Sequence, residues 1–261
     1  MTGHPAARPA SGPSPYLWSP TLRRTGAVPA RARLLVAPHS GAGPNSLLPL
    51  LAAVPADVEI VGLCLPGRER RFGESPGCGL GDVLRGVHDE LMDRDPLPTV
   101  CFGHSLGALL AVRIAALLGD SCVAAIPSGQ LPGREERPAH SASSDTDLIA
   151  LLVSGEGTPA HLLNDPQLRR LLLHVLRADL ELSREAAEDF DEVRLAAPLF
   201  VLGGDADALA PAERLPLWAA HTEGVCELEL LPGGHFALLE ERNRDRVARL
   251  LTRALETCRA T

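Results

Sequence analysis

The stretch TVCFGHSLGALLAVRIAALL, residues 99–118, joins a short apolar run to a helical pattern through the pentapeptide Gly103–Gly107. A Gly-x-Ser-x-Gly sequence between a strand and a helix is the pattern of a nucleophile elbow, whose sharp turn exposes the serine at the edge of the sheet. The helix N-terminus behind such a serine favours negative charge that develops there. The stretch therefore predicts that Ser105 is a nucleophile.

Five further apolar runs alternate with helix-length segments along the chain. An alternation of strand, helix and strand predicts a largely parallel sheet covered by helices on both faces. Together with the elbow, this pattern predicts an α/β protein with the α/β-hydrolase fold. The runs are Arg33–Pro38, Val58–Leu65, Cys122–Ile126, Ala197–Gly203 and Cys226–Leu231.

We expect one domain, preceded by a leader and interrupted by a lid. Residues 1–30 are rich in Pro, Ala, Gly and Ser, which indicates an extended, partly disordered leader, although Trp18 can pack onto the body. Residues 31–261 then form the hydrolase domain. From about residue 130 to residue 193 helical patterns replace strand patterns, with Asp165-Pro166 as a helix-start signal. We interpret this interval as an inserted helical lid.

Charge, cysteine content and hydropathy narrow the functional class. The 261 residues include 25 basic and 33 acidic side chains, a net charge of -8, which argues against nucleic acid as a partner. The first thirty residues lack the apolar core of a secretory signal, and no apolar run is long enough to cross a membrane. The six cysteines are scattered, without metal-ligand spacing. We expect a cytoplasmic protein with no membrane contact, no metal and no cofactor.

A serine hydroxyl is a weak nucleophile and needs a base that is oriented by a carboxylate. In this fold the acid and then the base follow the serine, each on a loop after a later strand. The last strand run leads to His235, the expected base. The run before it leads to two carboxylates, of which Asp207, deeper in the turn, is preferred over Asp205, which can instead hydrogen-bond the turn. Histidines of lower rank, which do not follow the acid on such a loop, are His39, His104, His161, His174 and His221.

Cleavage of an acyl bond also needs donors for the oxyanion. The backbone N–H of Leu106, directly after the nucleophile, is one expected donor. The second is expected from the glycine-bearing loop after the first strand run, Pro38–Gly43, where Ser40 is our choice.

These motifs together resemble type II thioesterases, which accompany modular polyketide and nonribosomal peptide synthetases. The resemblance runs from about Trp18 to the C-terminal helix. The chain departs from the family's pattern at Ser40 and Ala42, where alanine and glycine are usual, and at PSGQLPGR after the fourth strand run, which bears on the lid entrance. The motifs that carry the resemblance are Pro38–Gly43, Leu65–Arg68, Gly103–Ala108, Arg177–Asp179 and Pro232–Phe236.

The resemblance implies hydrolysis of acyl thioesters held on the phosphopantetheine arm of acyl or peptidyl carrier domains, which clears aberrant or stalled groups. Ser105 would attack the thioester carbonyl, His235 would move the proton, and Asp207 would hold the imidazolium. No cofactor is implied beyond the carrier's own arm. The expected state is a monomer.

Arginines near the pocket mouth could steer the acidic carrier domain, and Arg68, Arg70 and Arg71 are the candidates, although a solvated loop is the favoured interpretation for each of them taken singly. Three other interpretations stay open: a general serine esterase or lipase, a product-releasing or fatty-acid thioesterase, and a hydrolase-fold binding protein. The triad alone does not distinguish an ester from a thioester. The Leu-Pro-Gly-Arg and Arg-Ala-Asp motifs favour a thioesterase, a free-standing chain favours editing, and an intact triad disfavours the binding protein.

Overall fold

A seven-stranded sheet forms the centre of the structure, a computed structural model that describes residues 15–18, 28–133, 144–154 and 163–259. The strands are β1 Leu17–Trp18, β2 Ala32–Ala37, β3 Val58–Leu63, β4 Thr99–His104, β5 Cys122–Ser128, β6 Leu199–Gly204 and β7 Cys226–Leu231. Their order across the sheet is β1-β3-β2-β4-β5-β6-β7, and all neighbours pair in parallel except β1, which is antiparallel to β3. The predicted mostly parallel sheet is confirmed.

Helices cover both faces of this sheet, as predicted. In the described part of the chain the α-helices are α1 Leu48–Leu51, α2 Leu80–Met92, α3 Leu106–Leu118, α4 Asp145–Ser154, α5 Pro166–Ala187 and α6 Arg244–Glu256. Helices α2 and α3 and the end of α5 pack on one face, and α1 and α6 pack on the other. None of these described helices combines the length and the apolar character needed to span a membrane.

The central strand β2 shows how the sequence builds two cores. All six of its residues are buried. Leu35 and Ala37 join the core that contains α2 and α3, whereas Leu34 and Val36 join the core that contains α1 and α6. Successive side chains of a strand point to opposite faces, so a continuous apolar run is what a sheet covered on both faces requires.

Strand β1 lies in the segment predicted as the leader and was not among the predicted strands. Leu17 pairs with Leu63, and Trp18 with Gly62. The Glu90 carboxylate of α2 accepts the N–H groups of Tyr16 and Leu17, the latter at 2.9 Å. Residues 1–14 and 19–27 of the predicted leader lie outside the described residues.

The helices α4 and α5 lie in the interval predicted as a lid. Asp165 caps α5, because its side chain accepts the N–H groups of Gln167 and Leu168, and Pro166 takes the first helical position. The two helices share a small apolar cluster of their own, formed by Leu148, Leu173 and Leu176. The C-terminal part of α5 instead joins the main core through Leu182 and Ala186. Residues 134–143 and 155–162 of the predicted lid lie outside the described residues.

Candidate active site

Ser105 occupies the sharp turn between β4 and α3. Its backbone has φ 56° and ψ −121°, a region that residues other than glycine seldom adopt. The Ser105 N–H donates to the carbonyl oxygen of Ser128, the last residue of β5, at 2.8 Å. Backbone strain of this kind is characteristic of a residue whose side chain must be aimed in one direction.

The two glycines that flank the turn permit a close backbone approach. A Cβ atom on Gly103 would lie 1.9 Å from the carbonyl oxygen of Gly107. A Cβ atom on Gly107 would lie 2.0 Å from the carbonyl oxygen of Ala37, at the end of β2. Any other residue at either position would push α3 away from the strands that hold Ser105.

His235 lies on the loop after β7, and Asp207 lies on the loop after β6. The His235 Nδ1–H donates to Asp207 Oδ2 at 2.8 Å. The other oxygen, Asp207 Oδ1, accepts the N–H groups of Leu209 at 2.8 Å and Ala210 at 3.2 Å. Both side chains are buried. The carboxylate is therefore fixed by backbone donors on one side and presents its free oxygen to the imidazole.

Asp205, the alternative acid, contacts the turn and not the imidazole. Its Oδ1 accepts the N–H of Gly233 at 2.9 Å, and its own N–H donates to the carbonyl oxygen of Leu231 at 2.9 Å. Gly204 lies so close to the His235 loop that a Cβ atom there would be 2.2 Å from the carbonyl oxygen of Gly234. Asp205 thus fastens the two loops together, and the structure places Asp207 against His235.

The imidazole of His235 packs beside the elbow. Its ring centroid lies 4.7 Å from that of His104, the residue before the nucleophile, and 5.1 Å from the Phe236 ring. Gly129, with φ 57°, leaves room for both imidazoles, since a Cβ atom there would lie 2.5 Å from His104 Cε1 and 3.3 Å from His235 Cε1. Sequence reasoning did not find Gly129, although the Ser-Gly after the β5 run was a visible turn signal.

The loop after β2 brings the expected second oxyanion donor to the same end of the sheet. The Gly41 N–H donates to Asp179 at 2.6 Å and the Ala42 N–H donates to the His39 carbonyl at 3.1 Å. Within the described residues the N–H of Ser40 has no acceptor. Leu106 opens α3, where helix geometry leaves the N–H without an intrahelical acceptor. In the described part of the chain, the two N–H groups thus have no hydrogen-bond acceptor.

The other histidines named from the sequence have different surroundings. His39 and His104 lie next to the site, with ring centroids 5.9 Å apart. His221 bonds to the carbonyl of Val193 and packs on the Trp218 ring. His174 is exposed on α5, and His161 lies outside the described residues. No group of three or more His, Cys, Asp or Glu side chains suited to a metal ion occurs in the described ranges.

Two of the arginines proposed to steer a carrier are buried. The side chain of Arg68 is 5% exposed and pairs with Asp179, and that of Arg71 is 4% exposed and pairs with Glu74. Arg70 is exposed and lies over the Trp18 ring, 4.9 Å from its centroid. The hypothesis that Arg68 and Arg71 face an incoming partner is therefore wrong, because both guanidinium groups are themselves buried and each is paired with a carboxylate.

Burial favours the neutral forms of His39 and His104, which flank the site. The pKa of His39 is lowered to about 4, mainly by burial and further by electrostatic interaction with His235 and Arg68. The pKa of His104 is lowered for the same main reason, with His235 and His39 as further causes. The neutral form of each ring is therefore the form that the folded protein holds at neutral pH.

We expect the free energy of unfolding to fall as the pH drops from about 6.5 towards 4. In this window an unfolded His39, with its ordinary pKa of 6.5, binds a proton that the folded protein with a pKa of about 4 does not. Each such histidine contributes at most about 1.4 kcal/mol per pH unit to the slope. His39→Gln should therefore show a shallower pH dependence in urea unfolding. His88→Gln, at an exposed position, is the control, and parallel curves for His39→Gln and wild type would contradict the expectation.

Three loops lie at the carboxyl ends of parallel strands of one sheet: the elbow after β4, the Asp207 loop after β6 and the His235 loop after β7. This order defines the class of the protein as an α/β hydrolase. The chain matches the thioesterase domain family over residues 32–255. It belongs to this family, whose members are serine hydrolases that hydrolyse thioesters. The resemblance stated from the sequence is confirmed.

Three similar proteins carry the names of biosynthetic enzymes. A "Probable cadicidin biosynthesis thioesterase" of Streptomyces griseus is 34% identical over 247 residues, which cover 92% of this chain and 67% of the relative. The AMB antimetabolite synthetase AmbE of Pseudomonas aeruginosa is 32% identical, and the match covers 88% of this chain but 11% of that protein. The solved structure of RedJ, a thioesterase of the prodiginine pathway of Streptomyces coelicolor, superposes with a TM-score of 0.76 at 27% identity, over 90% of this chain and 96% of RedJ.

Proposed function

We propose that the protein is a type II thioesterase that removes aberrant or stalled acyl groups from acyl or peptidyl carrier proteins of a polyketide or nonribosomal peptide synthetase. The observation that carries the proposal is the buried hydrogen bond between His235 and Asp207 beside the strained Ser105. The family and the pathways named for its relatives support the thioester substrate. The proposed triad is Ser105, His235 and Asp207.

In the acylation step Ser105 Oγ attacks the thioester carbonyl carbon while its proton moves to His235 Nε2. The tetrahedral intermediate collapses, the C–S bond breaks, and the imidazolium returns the proton to the leaving thiolate of the pantetheine arm. In the second step His235 takes a proton from water, whose oxygen attacks the acyl-enzyme. The ester C–O bond then breaks and Ser105 recovers its proton. Asp207 holds the Nδ1–H throughout and so keeps Nε2 free to accept.

The negative oxygen of each intermediate would be held by the N–H groups of Leu106 and Ser40. A donor that is already oriented towards the developing charge lowers the barrier without reorganisation during the reaction. Both are backbone groups, so the replacement of the family's usual alanine by Ser40 does not remove the donor.

The proposal extends to partner, cofactor and compartment. The substrate arrives on a carrier's phosphopantetheine, so the enzyme requires no cofactor of its own, and a monomer is sufficient. All six cysteines are free thiols, which supports a reducing, cytoplasmic setting.

The test is hydrolysis of an acetyl or propionyl group from a phosphopantetheinylated carrier protein, followed by intact mass spectrometry. Loss of the acyl mass with the native enzyme, but not with enzyme treated beforehand with a serine-directed fluorophosphonate, is the expected result. Persistence of the acyl group together with cleavage of p-nitrophenyl acetate would indicate a general esterase. Persistence without ester cleavage would indicate a binding protein. Preference for a long peptidyl chain over the acetyl group would indicate product release.

A further inference from the structure

A buried ion pair joins helix α5, which lies in the interval predicted as a lid, to the loop after β3. Both terminal nitrogens of Arg68 donate to Asp179, with Nη1–Oδ2 and Nη2–Oδ1 distances of 2.7 Å. The Arg68 Nε also donates to the carbonyl of Pro66 at 3.2 Å. The Asp179 side chain is 1% exposed. The two residues belong to the Leu-Pro-Gly-Arg and Arg-Ala-Asp motifs, to which the proposed mechanism assigns no role.

Asp179 also binds the backbone of the loop that carries Ser40. Its Oδ2 accepts the Gly41 N–H at 2.6 Å. Gly41 has φ 82°, a left-handed conformation that favours glycine. The Gly41 N–H, directly after Ser40, is therefore held by the Asp179 carboxylate, and the Arg68 guanidinium holds that carboxylate in turn.

Glu69, which follows Arg68 in the loop after β3, holds the far end of the loop that carries Ser40. Glu69 accepts the Asn45 N–H through Oε1 and the Asn45 Nδ2 through Oε2, both at 2.9 Å. Its backbone has φ 44°. A Cβ atom on Gly43 would lie 2.3 Å from the Glu69 carboxyl carbon. The loop from Ser40 to Asn45 is thus held at two points. Asp179, which is paired with Arg68, binds Gly41, and Glu69, the residue after Arg68, binds Asn45.

A buried ion pair is in itself weak support for stability, because desolvation of the two charges offsets their attraction. What a bidentate pair of an arginine and a carboxylate does provide is a fixed orientation of the two side chains. We propose that Asp179, held by Arg68, is a positioning residue that sets the Ser40 amide for the oxyanion. Because Asp179 lies on α5, the placement of that helix and the geometry of the oxyanion loop are coupled. This inference rests on the proposed function.

The test compares Asp179→Asn with Glu181→Gln, the same chemical change two residues away at an exposed position of α5. Asp179→Asn is expected to lower kcat for acyl-carrier hydrolysis about 100-fold with KM within about twofold, since the shifted amide weakens binding of the transition state. Glu181→Gln should leave both constants unchanged. Hydrogen exchange of a peptide covering residues 38–45 should accelerate in Asp179→Asn, while exchange in α3 stays unchanged.

Arg68→Lys provides a second variant, which keeps the charge but loses the two-pronged contact. It should lower kcat in the same direction by about tenfold. An unchanged kcat in Asp179→Asn, or a loss that equals the unfolded fraction measured by circular dichroism at the assay temperature, would overturn the inference.

Failure of the proposed function can be told apart from failure of this inference. If wild type does not hydrolyse acyl carriers but reacts with a fluorophosphonate, the rate of Ser105 phosphonylation replaces kcat, because the phosphoryl oxygen uses the same donors. A slower rate in Asp179→Asn then supports the positioning role without the thioesterase assignment, and an equal rate overturns it.

Discussion

Ser105→Ala is expected to lower kcat for thioester hydrolysis by about 10⁶-fold, the scale of effect seen when a triad nucleophile is removed. The variant keeps His235, Asp207 and the oxyanion donors, so a residual rate above that of the uncatalysed reaction should persist. The fold should survive, because the Ser105 side chain makes no capping hydrogen bond to α3. Alanine meets the same backbone strain as serine at this position.

The matched control is Ser121→Ala, at an exposed serine beyond the other end of α3. Both variants should melt within about 2 °C of wild type, as expected for changes that cost little stability. Release of the free carrier thiol, followed with a thiol reagent, gives the rates. A Ser105→Ala enzyme that keeps more than about 1% of the wild-type kcat would show that the nucleophile lies elsewhere.

The elbow could be predicted from sequence because its signals are local. A strand, a turn and a helix within one stretch specify a geometry without reference to the rest of the chain. The close contacts of Gly103 with Gly107 and of Gly107 with Ala37 explain why the pattern needs glycine at both positions. The order of the later loops along the chain likewise led to the prediction that His235 is the base.

Contacts between distant segments could not be predicted in this way. Gly41 and Asp179 are 138 positions apart, and a motif identifies such residues without saying what they touch. Arg68 is buried through its ion pair with Asp179, 111 positions away, so the sequence alone placed it among the candidate surface cations. Strand β1 has two residues, too few to show an alternating pattern.

The choice between two neighbouring carboxylates was also a question of geometry. Asp205 and Asp207 occupy one loop and have the same chemistry, so sequence spacing alone ranks them weakly. The structure separates them by their partners: backbone N–H groups of the loop and His235 for Asp207, and the Gly233 N–H for Asp205. Because the partners differ, we expect substitution of Asp207 and substitution of Asp205 to change kcat by very different amounts.

Asp207→Asn is expected to lower kcat by about 10⁴-fold, the effect of forcing the wrong tautomer on a triad histidine. The oxygen of the new amide should stay on the Leu209 and Ala210 N–H groups, because they are donors. Its NH₂ group then faces His235 Nδ1, which can only accept. The imidazole proton moves to Nε2, and the ring can no longer take the proton from Ser105.

Asp205→Asn is the isosteric comparison within the same loop. Its amide oxygen can still accept the Gly233 N–H, so kcat should change by no more than about threefold. Steady-state hydrolysis of an acyl carrier gives both values, and the ¹⁵N shifts of the His235 ring report its tautomer directly. A larger loss in Asp205→Asn than in Asp207→Asn would exchange the roles of the two carboxylates. The expected difference in kcat depends on Asp207 imposing the tautomer of His235. Equal and small losses of kcat in the two variants would therefore mean that His235 works without an orienting acid.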